Sequence, residues 1–422
     1  MKKAKFKMTE IGLIPEDWEV KCLGEIGEPS MCKRVLKSQT SDSGDIPFYK
    51  IGTFGKTADA FISKELFTSF KRQYSYPKNG DVLISAAGTI GRTVVFDGND
   101  AYFQDSNIVW IGHDERIVLN KYLKWCLEVI KWQTEDGGIV TRLYNDNVRN
   151  SLIPVPPLPE QKKIAEALSD VDELLAAMKT LIEKKRAIKQ GAMQELLGIR
   201  NFEAGAKKVP RRRLPGFSGE WVEKRLGDYG AVIRGVSYKP YQSYYESGRR
   251  RTMLLRSNNI KENVLNYDDL VYVDDECIGE EQLMRCGDIL ICAANGSRNL
   301  VGKSAILRKI DNAISFGAFM AIFRTNSNSV DSFVGYLLQS ESYRKQLDDI
   351  LTGSAINNLN ARDILSFLFF MPPTLAEQKA IAEVLSDMDA EIEALEAKRA
   401  KYESIKQGMM QELLTGKTRL KG

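Results

Sequence analysis

The sequence is poor in the residues from which most catalytic and metal sites are built. It has a single histidine in 422 residues, His113, so a Ser-His-Asp triad or a histidine-rich metal site would depend on that one side chain. His113 stands in a polar, turn-like stretch, which predicts a surface position. None of the six cysteines forms a CxxC pair, so neither a zinc knuckle nor a dithiol redox motif is expected.

Long apolar runs and a strong net charge are also missing. No stretch approaches the roughly 18 to 20 apolar residues that cross a bilayer, and the basic start, Met1 to Lys7, has no apolar core behind it. These absences predict a cytoplasmic protein with no membrane partner. Lysine and arginine total 60 against 56 aspartates and glutamates, a net charge of +4, so any basic surface for nucleic acid must be local.

The dominant feature that is present is an internal repeat. Between residues 160–197 and 377–414, 21 of 38 positions are identical at a constant shift of 217. The repeat continues upstream with a drifting shift, since Trp18 recurs as Trp221 and the run 80–87 recurs as 287–294. Such self-similarity indicates a duplicated unit.

Composition divides each copy into a globular region and a helical region. Each begins near a tryptophan, passes a proline-containing hinge and ends in a long helix-forming segment, which predicts an α/β (α+β) tandem repeat. The expected division is a first mixed α/β domain at 1–155, a first helix at 156–199, a linker at 200–219, a second mixed α/β domain at 220–371, a second helix at 372–416 and a tail at 417–422.

The two helical segments carry start signals and an apolar seam. Thr374 and Glu377 match a capping box, in which the carboxylate reaches back to free backbone N–H groups. Apolar residues alternate at spacings of four and three, which is typical of a coiled coil. The seam residues are Ile164, Leu168, Val171, Leu175 and Met178 in the first helix and Ile381, Leu385, Met388, Ile392 and Leu395 in the second. We therefore predict an antiparallel coiled coil with pseudo-two-fold symmetry, and the alternative that each helix lies on its own domain stays open.

Loops between the short β-rich runs are rich in arginine, lysine, asparagine, serine and tyrosine. Arginine can bind guanine through two hydrogen bonds and asparagine can bind adenine, whereas lysine and serine bind phosphates. The candidate DNA-binding residues are Lys33, Arg34, Lys50, Thr89, Arg92, Arg142 and Tyr144 in the first copy and Arg234, Tyr238, Lys239, Arg256, Asn258, Asn259, Asn295, Ser297, Arg298 and Lys303 in the second. Any one loop is more often an ordinary solvated turn, and only the repetition on two linked copies favours DNA binding.

Three patterns are close to catalytic motifs but lack a required feature. The run 296–304 has five residues between its glycines, where a phosphate-binding loop requires four. The run 160–162 has the Glu-x-Lys spacing of a nuclease site, but it opens a helix, where a carboxylate caps the backbone. The Pro-Pro pairs lack the aromatic context of an amino-methyltransferase. The sequence therefore predicts no catalytic, cofactor-binding or metal site.

The repeated blocks carry a resemblance to a known family. Two globular domains, each followed by a helix that opens Pro-Pro…Glu-Gln-Lys…Ile-Ala and closes Gln-Glu-Leu-Leu, resemble the specificity subunit of type I restriction–modification enzymes. The chain end at 413–420 and the repeated runs 80–84 and 287–291 are similar to that family as well. The resemblance implies a non-catalytic, DNA-binding subunit used in phage defence. Each target-recognition domain would read one half of a bipartite, asymmetric site in double-stranded DNA, and the helix pair would set the gap.

The resemblance also implies partners. The helix pair would dock two methylation subunits and, through them, restriction subunits, and S-adenosylmethionine, ATP and Mg²⁺ would be bound only by those partners. One alternative is a recognition subunit of a methylation-only or other DNA-modification system. A nuclease fragment would need a carboxylate cluster that the sequence lacks, and a plain coiled-coil adaptor does not explain two large duplicated domains.

Overall fold

The computed structural model describes residues 5–132, 142–198, 208–352 and 357–420. The chain forms two compact units, unit 1 at Met1–Lys179 with Ala397–Gly422 and unit 2 at Thr180–Glu396. Each unit contains one α/β domain, the first half of one long helix and the second half of the other. The division expected from the sequence keeps each helix whole, whereas this division splits both.

The α-helices in the described part of the chain are α1 Leu23–Ile26, α2 Lys64–Gln73, α3 Asn120–Val129, α4 Asn145–Arg149, α5 Leu158–Leu197, α6 Asp331–Leu337, α7 Glu341–Thr352, α8 Ala361–Ser366 and α9 Leu375–Leu413. Short 3₁₀ turns occur at Lys37–Gln39, Leu226–Asp228, Pro240–Gln242, Ser257–Asn259, Asp275–Cys277, Glu280–Gln282 and Arg298–Leu300. None of the described helices combines the length and the apolar composition that crossing a membrane requires.

The strands of unit 1 are β1 Phe6–Thr9, β2 Gly12–Pro15, β3 Glu19–Cys22, β4 Glu28–Ser30, β5 Ile46–Tyr49, β6 Phe61–Ile62, β7 Val82–Ser85, β8 Thr93–Val95, β9 Tyr102–Phe103, β10 Ile108–Gly112 and β11 Leu152–Val155. Those of unit 2 are β12 Val222–Arg225, β13 Gly230–Arg234, β14 Ser243–Tyr244, β15 Arg251–Leu255, β16 Ile260–Lys261, β17 Val264–Leu265, β18 Val271–Asp274, β19 Ile289–Cys292, β20 Ser304–Ile306, β21 Ile314–Phe316, β22 Met320–Thr325 and β23 Leu368–Met371.

The two domains share the strand order of one four-stranded sheet, and the second sheet has three strands in unit 1 and four in unit 2. In unit 1 an antiparallel sheet has the order β4-β10-β7-β8, and a smaller sheet, β6-β5-β9, pairs β5 with β9 in parallel. Unit 2 repeats these as β13-β22-β19-β20 and β14-β18-β15-β21, with β15 and β21 parallel. The predicted tandem of mixed α/β domains is therefore confirmed.

The repeated Gly-Asp-apolar run forms the strand between the two cores of each domain. In β7, Val82 faces a core shared with the start of α5, whereas Leu83 faces the core under the smaller sheet. In β19, Ile289 and Leu290 divide in the same way. Successive side chains of a strand point to opposite faces, so a run that is apolar at every position is buried on both.

Two separate helices follow β22 in unit 2. Helix α6 ends at Leu337 and α7 begins at Glu341. Ser340 lies between them, where its hydroxyl donates to Leu337 O at 2.7 Å and accepts from Tyr343 N–H at 3.3 Å. Serine favours this capping geometry over a helix interior, which explains the break.

The long helices contact each other within each unit. In unit 1 the first turns of α5 share a core with the last turns of α9, as Ile164 and Met410 illustrate. In unit 2 the first turns of α9 share a core with the last turns of α5, as Ile381 and Met193 illustrate. The start of one helix thus meets the end of the other, which is the antiparallel sense. Both cores also include the α/β domain, so helix pairing and packing on the domain occur together.

The predicted seam divides by burial. Ile164, Leu168, Met178, Ile381, Leu385 and Ile392 are buried, and Val171, Leu175, Met388 and Leu395 are half-buried.

Candidate nucleic-acid interface

Four loops of unit 1 meet at one end of the four-stranded sheet and form what we call loop cluster 1. They are residues 50–56, 86–92, 104–107 and 142–144. The chain at Ala86 ties two of them together, since its N–H donates to Asn107 O and its carbonyl accepts from Leu143 N–H, both at 2.8 Å. The first three loops adjoin strands of the two sheets, and residues 142–144 lead into α4.

The four equivalent loops of unit 2, together with residues 234–238, form loop cluster 2. The four loops are residues 256–259, 293–298, 317–319 and 357–359. Here Ala293 N–H donates to Phe319 O at 2.9 Å, and Leu359 N–H donates to Ala293 O at 2.7 Å, which repeats the two bonds of loop cluster 1. The two clusters therefore share a backbone frame and differ in the side chains that they expose, as expected of binding loops on a rigid scaffold.

Three candidate DNA-binding side chains hold the loops together instead. Arg92 donates to Ile51 O at 3.1 Å, and Arg142 donates to Ser106 O at 3.0 Å. Asn259 is fully buried, and its amide donates to two backbone carbonyls at 3.0 Å each. A base contact requires a side chain that projects into a groove of the DNA. Asn259 is therefore assigned to loop structure, whereas Arg92 and Arg142 are partly exposed and their contact with DNA stays a prediction.

A second group of candidates is partly exposed but already paired within the protein. Arg256 and Asn258 both donate to Asp269 Oδ2, at 3.1 and 2.7 Å. The others pair as Arg34 with Asp105, Lys50 with Asp59, Arg234 with the carbonyl of Leu359, Asn295 with Ser257 and Arg298 with Thr352. DNA binding by these residues would replace an existing partner, which reduces the net gain in free energy.

The remaining candidates have side chains without a hydrogen bond or ion pair to any described residue. They are Lys33, Thr89, Tyr144, Tyr238, Lys239, Ser297 and Lys303. Lys33 and Lys239 each lie near a tyrosine ring, at 5.0 and 5.8 Å from the ring centre. Lys303 is not part of loop cluster 2. It lines a groove of about 1090 Å³ together with Lys189 of α5.

Phe319 is a residue of loop cluster 2 that the sequence analysis did not single out. Its side chain is 72% exposed, and its carbonyl accepts from two backbone N–H groups at 2.9 Å, so the aromatic ring stands on a firmly held loop. Asn107 has the equivalent place in loop cluster 1. Gly317, two residues before Phe319, was the available sign of a loop in the sequence. An exposed aromatic side chain can contact a thymine methyl group.

Each unit also contains a buried tryptophan–glutamate–arginine cluster at the start of a long helix. Node 1 consists of Trp18, Glu160 and Arg419, and node 2 consists of Trp221, Glu377 and Arg213. In node 1 the indole N–H donates to the carboxylate at 3.1 Å, and the guanidinium donates to both carboxylate oxygens at 2.7 Å. In node 2 the corresponding distances are 3.2 Å from the indole and 2.7 Å from the guanidinium. The nodes join the domain, its helix and the segment that follows the other helix.

The glutamates of the nodes do not have the capping role expected from the sequence. Thr374 does cap α9, because Glu377 N–H donates to its hydroxyl at 3.2 Å. The Glu377 carboxylate accepts from Trp221 and Arg213 instead. Burial would raise the pKa of Glu160, but hydrogen bonds from Arg419 and Trp18 outweigh it and hold that pKa below its ordinary value. The Glu160 carboxylate is therefore the ionised partner of the buried Arg419 guanidinium.

The node arginines lie in segments expected to be a linker and a tail. The linker was predicted at 200–219, of which the structure describes 208–219. The tail folds back at Gly416, which has a φ of +69°. A Cβ at that position would lie 2.5 Å from Pro15, so this turn requires glycine. The available sequence signal was the recurrence of Arg213-Leu214 as Arg419-Leu420.

Across the described ranges, no group of three or more histidine, cysteine, aspartate or glutamate side chains is arranged to hold a metal ion.

Comparison with protein families identifies one match. The model of the type I restriction modification DNA specificity domain matches residues 15–185 and again residues 219–404. These two matches cover most of the chain and correspond to its two repeats.

Two relatives of this chain are named as putative specificity subunits of type I restriction enzymes. The chain is 30% identical over 443 aligned residues, covering 100% of this chain and 98% of the relative, to a putative type I restriction enzyme MjaX specificity subunit of Methanocaldococcus jannaschii. It is 60% identical over 152 residues to a putative type I restriction enzyme specificity subunit of Haemophilus influenzae, an alignment that spans 36% of this chain and 40% of that relative.

Solved structures share the fold. The S subunit of a type I restriction–modification system from M. genitalium matches with a TM-score of 0.59 at 15% identity, covering 97% of this chain and 98% of that one. A chain from a structural study of complex assembly in the type I R-M system matches with a TM-score of 0.56 at 16% identity, covering 96% and 99%.

Proposed function

Since this chain belongs to the type I restriction–modification DNA specificity family, we propose that it reads the two halves of a bipartite, asymmetric site in double-stranded DNA. Each target-recognition domain contacts one half-site through its loop cluster. The observation that carries the proposal is the repetition of one loop frame in both units with different side chains at equivalent places, such as the half-buried Asn107 against the exposed Phe319. Different side chains on an equal frame predict two different half-sites.

We propose that the length of the two long helices sets the gap between the half-sites. Helix α5 has 40 residues and α9 has 39, which is roughly 60 Å at 1.5 Å per residue. The antiparallel contacts within each unit support a paired rod. A rigid rod limits how far the two recognition surfaces can move apart, so it limits the number of base pairs between their contacts.

The proposed partners are two methylation subunits, which dock on the helix pair, and restriction subunits, which join through them. Outside the seam the helix faces are charged and exposed, for example at Lys162 and Glu383. In this proposal the chain is not an enzyme. S-adenosylmethionine, ATP and Mg²⁺ are bound by the partners, and the complex acts in the cytoplasm, where its DNA is.

A genome-wide map of methylated adenine tests the function directly. Deletion of the gene in its host is expected to remove methylation from one gapped, two-part motif and to leave other motifs unchanged. Re-expression of the chain from a plasmid should restore the same motif. If the map is identical with and without the gene while a methylation subunit co-purifies with the chain, the proposed recognition role is wrong.

Shortening the helix pair by one heptad should shorten the gap. Deletion of residues 173–179 and 390–396, which are equivalent under the shift of 217, removes about 10.5 Å from each helix and keeps the apolar spacing. At 3.4 Å per base pair this corresponds to a gap shorter by about three base pairs. The readout is the methylation motif, in which both half-sites should persist. A motif with an unchanged gap would contradict the measuring role of the helices.

A further inference from the structure

Asp172 of α5 is the centre of a mixed ion-pair cluster in unit 1, which we call lock 1. Lys406 of α9 donates to its carboxylate at 2.7 Å, and Lys124 of α3 donates to it at 3.1 Å. Both lysines also lie near the Trp125 ring, at 4.8 and 4.0 Å from its centre. Glu128 faces Lys406 at 3.9 Å. Lock 1 therefore joins α5, α9 and the domain helix α3.

Asp389 of α9 has the same position in unit 2, and its cluster is lock 2. Lys189 of α5 forms an ion pair with it and lies 5.3 Å from the centre of the Tyr336 ring. Arg308 donates to Asp389 at 3.0 Å, and the Tyr336 hydroxyl donates to it at 2.6 Å. Lock 2 therefore joins α9, α5 and helix α6 of the second domain.

The two locks are copies of each other with the helices exchanged. Asp172 and Asp389 are related by the shift of 217, and so are Lys189 and Lys406, and all four are among the identical positions of the repeat. The residue numbers of both pairs have the same sum, since 172 and 406 give 578, and 189 and 389 give 578. The shift of 217 requires equal sums of equivalent pairs, so α5 and α9 have the same antiparallel register in unit 1 and in unit 2.

The apolar seam alone does not define that register. A heptad pattern presents an equivalent apolar face after each slip of seven residues, so several pairings bury comparable surface. A slip would take each lysine, only 16% exposed in both locks, away from its carboxylate. Separating partly buried partners costs free energy because the charges have been removed from water without compensation. Polar pairs inside a helix interface are the device by which coiled coils select one register.

We propose that locks 1 and 2 set the register between α5 and α9, and that this register decides which gap between the half-sites the protein accepts. Lys189, Lys406, Asp172 and Asp389 are thus positioning residues for DNA recognition. The proposal rests on the bipartite recognition proposed above, and it adds that side chains far from the DNA contacts decide a part of the specificity.

The test uses the chain assembled with its methylation subunits and a set of DNA duplexes. Each duplex carries both half-sites with the native gap or with one or two base pairs added or removed, and the dissociation constant is measured for each. The double variant Asp172→Asn with Asp389→Asn should reduce the preference for the native gap over its neighbours about tenfold. Its affinity for a duplex with one half-site should match that of the wild type, because the loop clusters are untouched.

The matched control is another ion pair between the helices. Lys185 and Glu391 lie 2.6 Å apart and are more exposed than the locks, at 31% and 51%. The double variant Lys185→Gln with Glu391→Gln should keep the wild-type gap preference. An equal loss in the control would overturn the assignment to the locks.

Two further variants keep the test decisive if the asparagine variant does not assemble. Lys189→Arg with Lys406→Arg retains both charges and should retain the preference, whereas Lys189→Gln with Lys406→Gln should lose it. Variants that retain the wild-type preference despite losing the ion pairs would overturn the role of the locks and leave bipartite recognition standing. A wild-type complex that binds all gaps equally would overturn the proposed function itself.

Discussion

Replacing Glu377 by glutamine is expected to lower the free energy of unfolding of unit 2 by about 3 kcal/mol. The substitution removes the charge that Arg213 faces, and the guanidinium side chain is only 17% exposed. In the described part of the chain, Arg213 forms no other ion pair, and its remaining hydrogen bonds go to the carbonyls of Gly219 and Ser218. A buried cation without its partner costs far more than the pair itself contributes. Hydrogen exchange of unit 2 peptides measures the change, since a protein of two units need not unfold in one step.

Two other glutamate substitutions serve as comparisons for Glu377→Gln. Glu383→Gln lies on the same helix, in an exposed pair with Lys379 at 3.8 Å, and should change the stability of unit 2 by less than about 0.5 kcal/mol. Glu160→Gln should cost less than Glu377→Gln, because Arg419 keeps its bonds to Asp17 at 2.7 and 2.9 Å. Equal, small losses for Glu377 and Glu383 would show that node 2 does not stabilise the unit.

The stability that node 1 contributes should depend on pH. Hydrogen bonds from Arg419 and Trp18 outweigh the effect of burial and hold the pKa of Glu160 below its ordinary value. A carboxyl whose pKa is lowered on folding stabilises the fold above its unfolded pKa, about 4.3 for glutamate, and this contribution is lost as the pH falls through the lowered pKa. The Glu160→Gln variant should lack this part of the acid dependence of unit 1.

A chain in which residues 18–155 also replace residues 221–371 is expected to read an inverted repeat of the first half-site. The structure favours such a replacement because each domain begins and ends in one antiparallel strand pair. Val155 lies opposite Glu19 in the first domain, and Met371 lies opposite Val222 in the second. In each domain the first and the last strand therefore lie side by side, next to the start of a long helix. If the units are related by the proposed two-fold symmetry, two equal domains read equal half-sites on opposite strands.

Adenine methylation mapping in a host without the native gene measures this outcome. The reciprocal chain, with residues 221–371 in both places, is the matched control and should produce an inverted repeat of the other half-site. If both chains are folded and methylate the original asymmetric motif, recognition does not reside in the domains as proposed.

The DNA-binding candidates show where sequence reasoning stops. Tyr144 and Lys239 are exposed and form no side-chain hydrogen bond or ion pair with a described residue, so their contact with DNA stays a prediction. Asn259 has the same composition signal, but it is buried beneath a hairpin and donates to the carbonyls of Asn266 and Asp268. An asparagine that can bind adenine can equally satisfy two carbonyls, so residue type alone does not separate the two roles.

By itself, the sequence determined the duplication, the two long helices and their apolar seam, and the family resemblance that the comparisons confirm. These properties follow from the spacing and the identity of residues along the chain, because helix periodicity depends only on neighbouring residues. Only the tertiary structure decided the partners of the repeated charges. Glu160 has the spacing of a helix cap, yet Arg419, 259 residues away, binds it. Such contacts depend on which surfaces the folded units bring together, and a buried charge accepts whatever partner the packing provides.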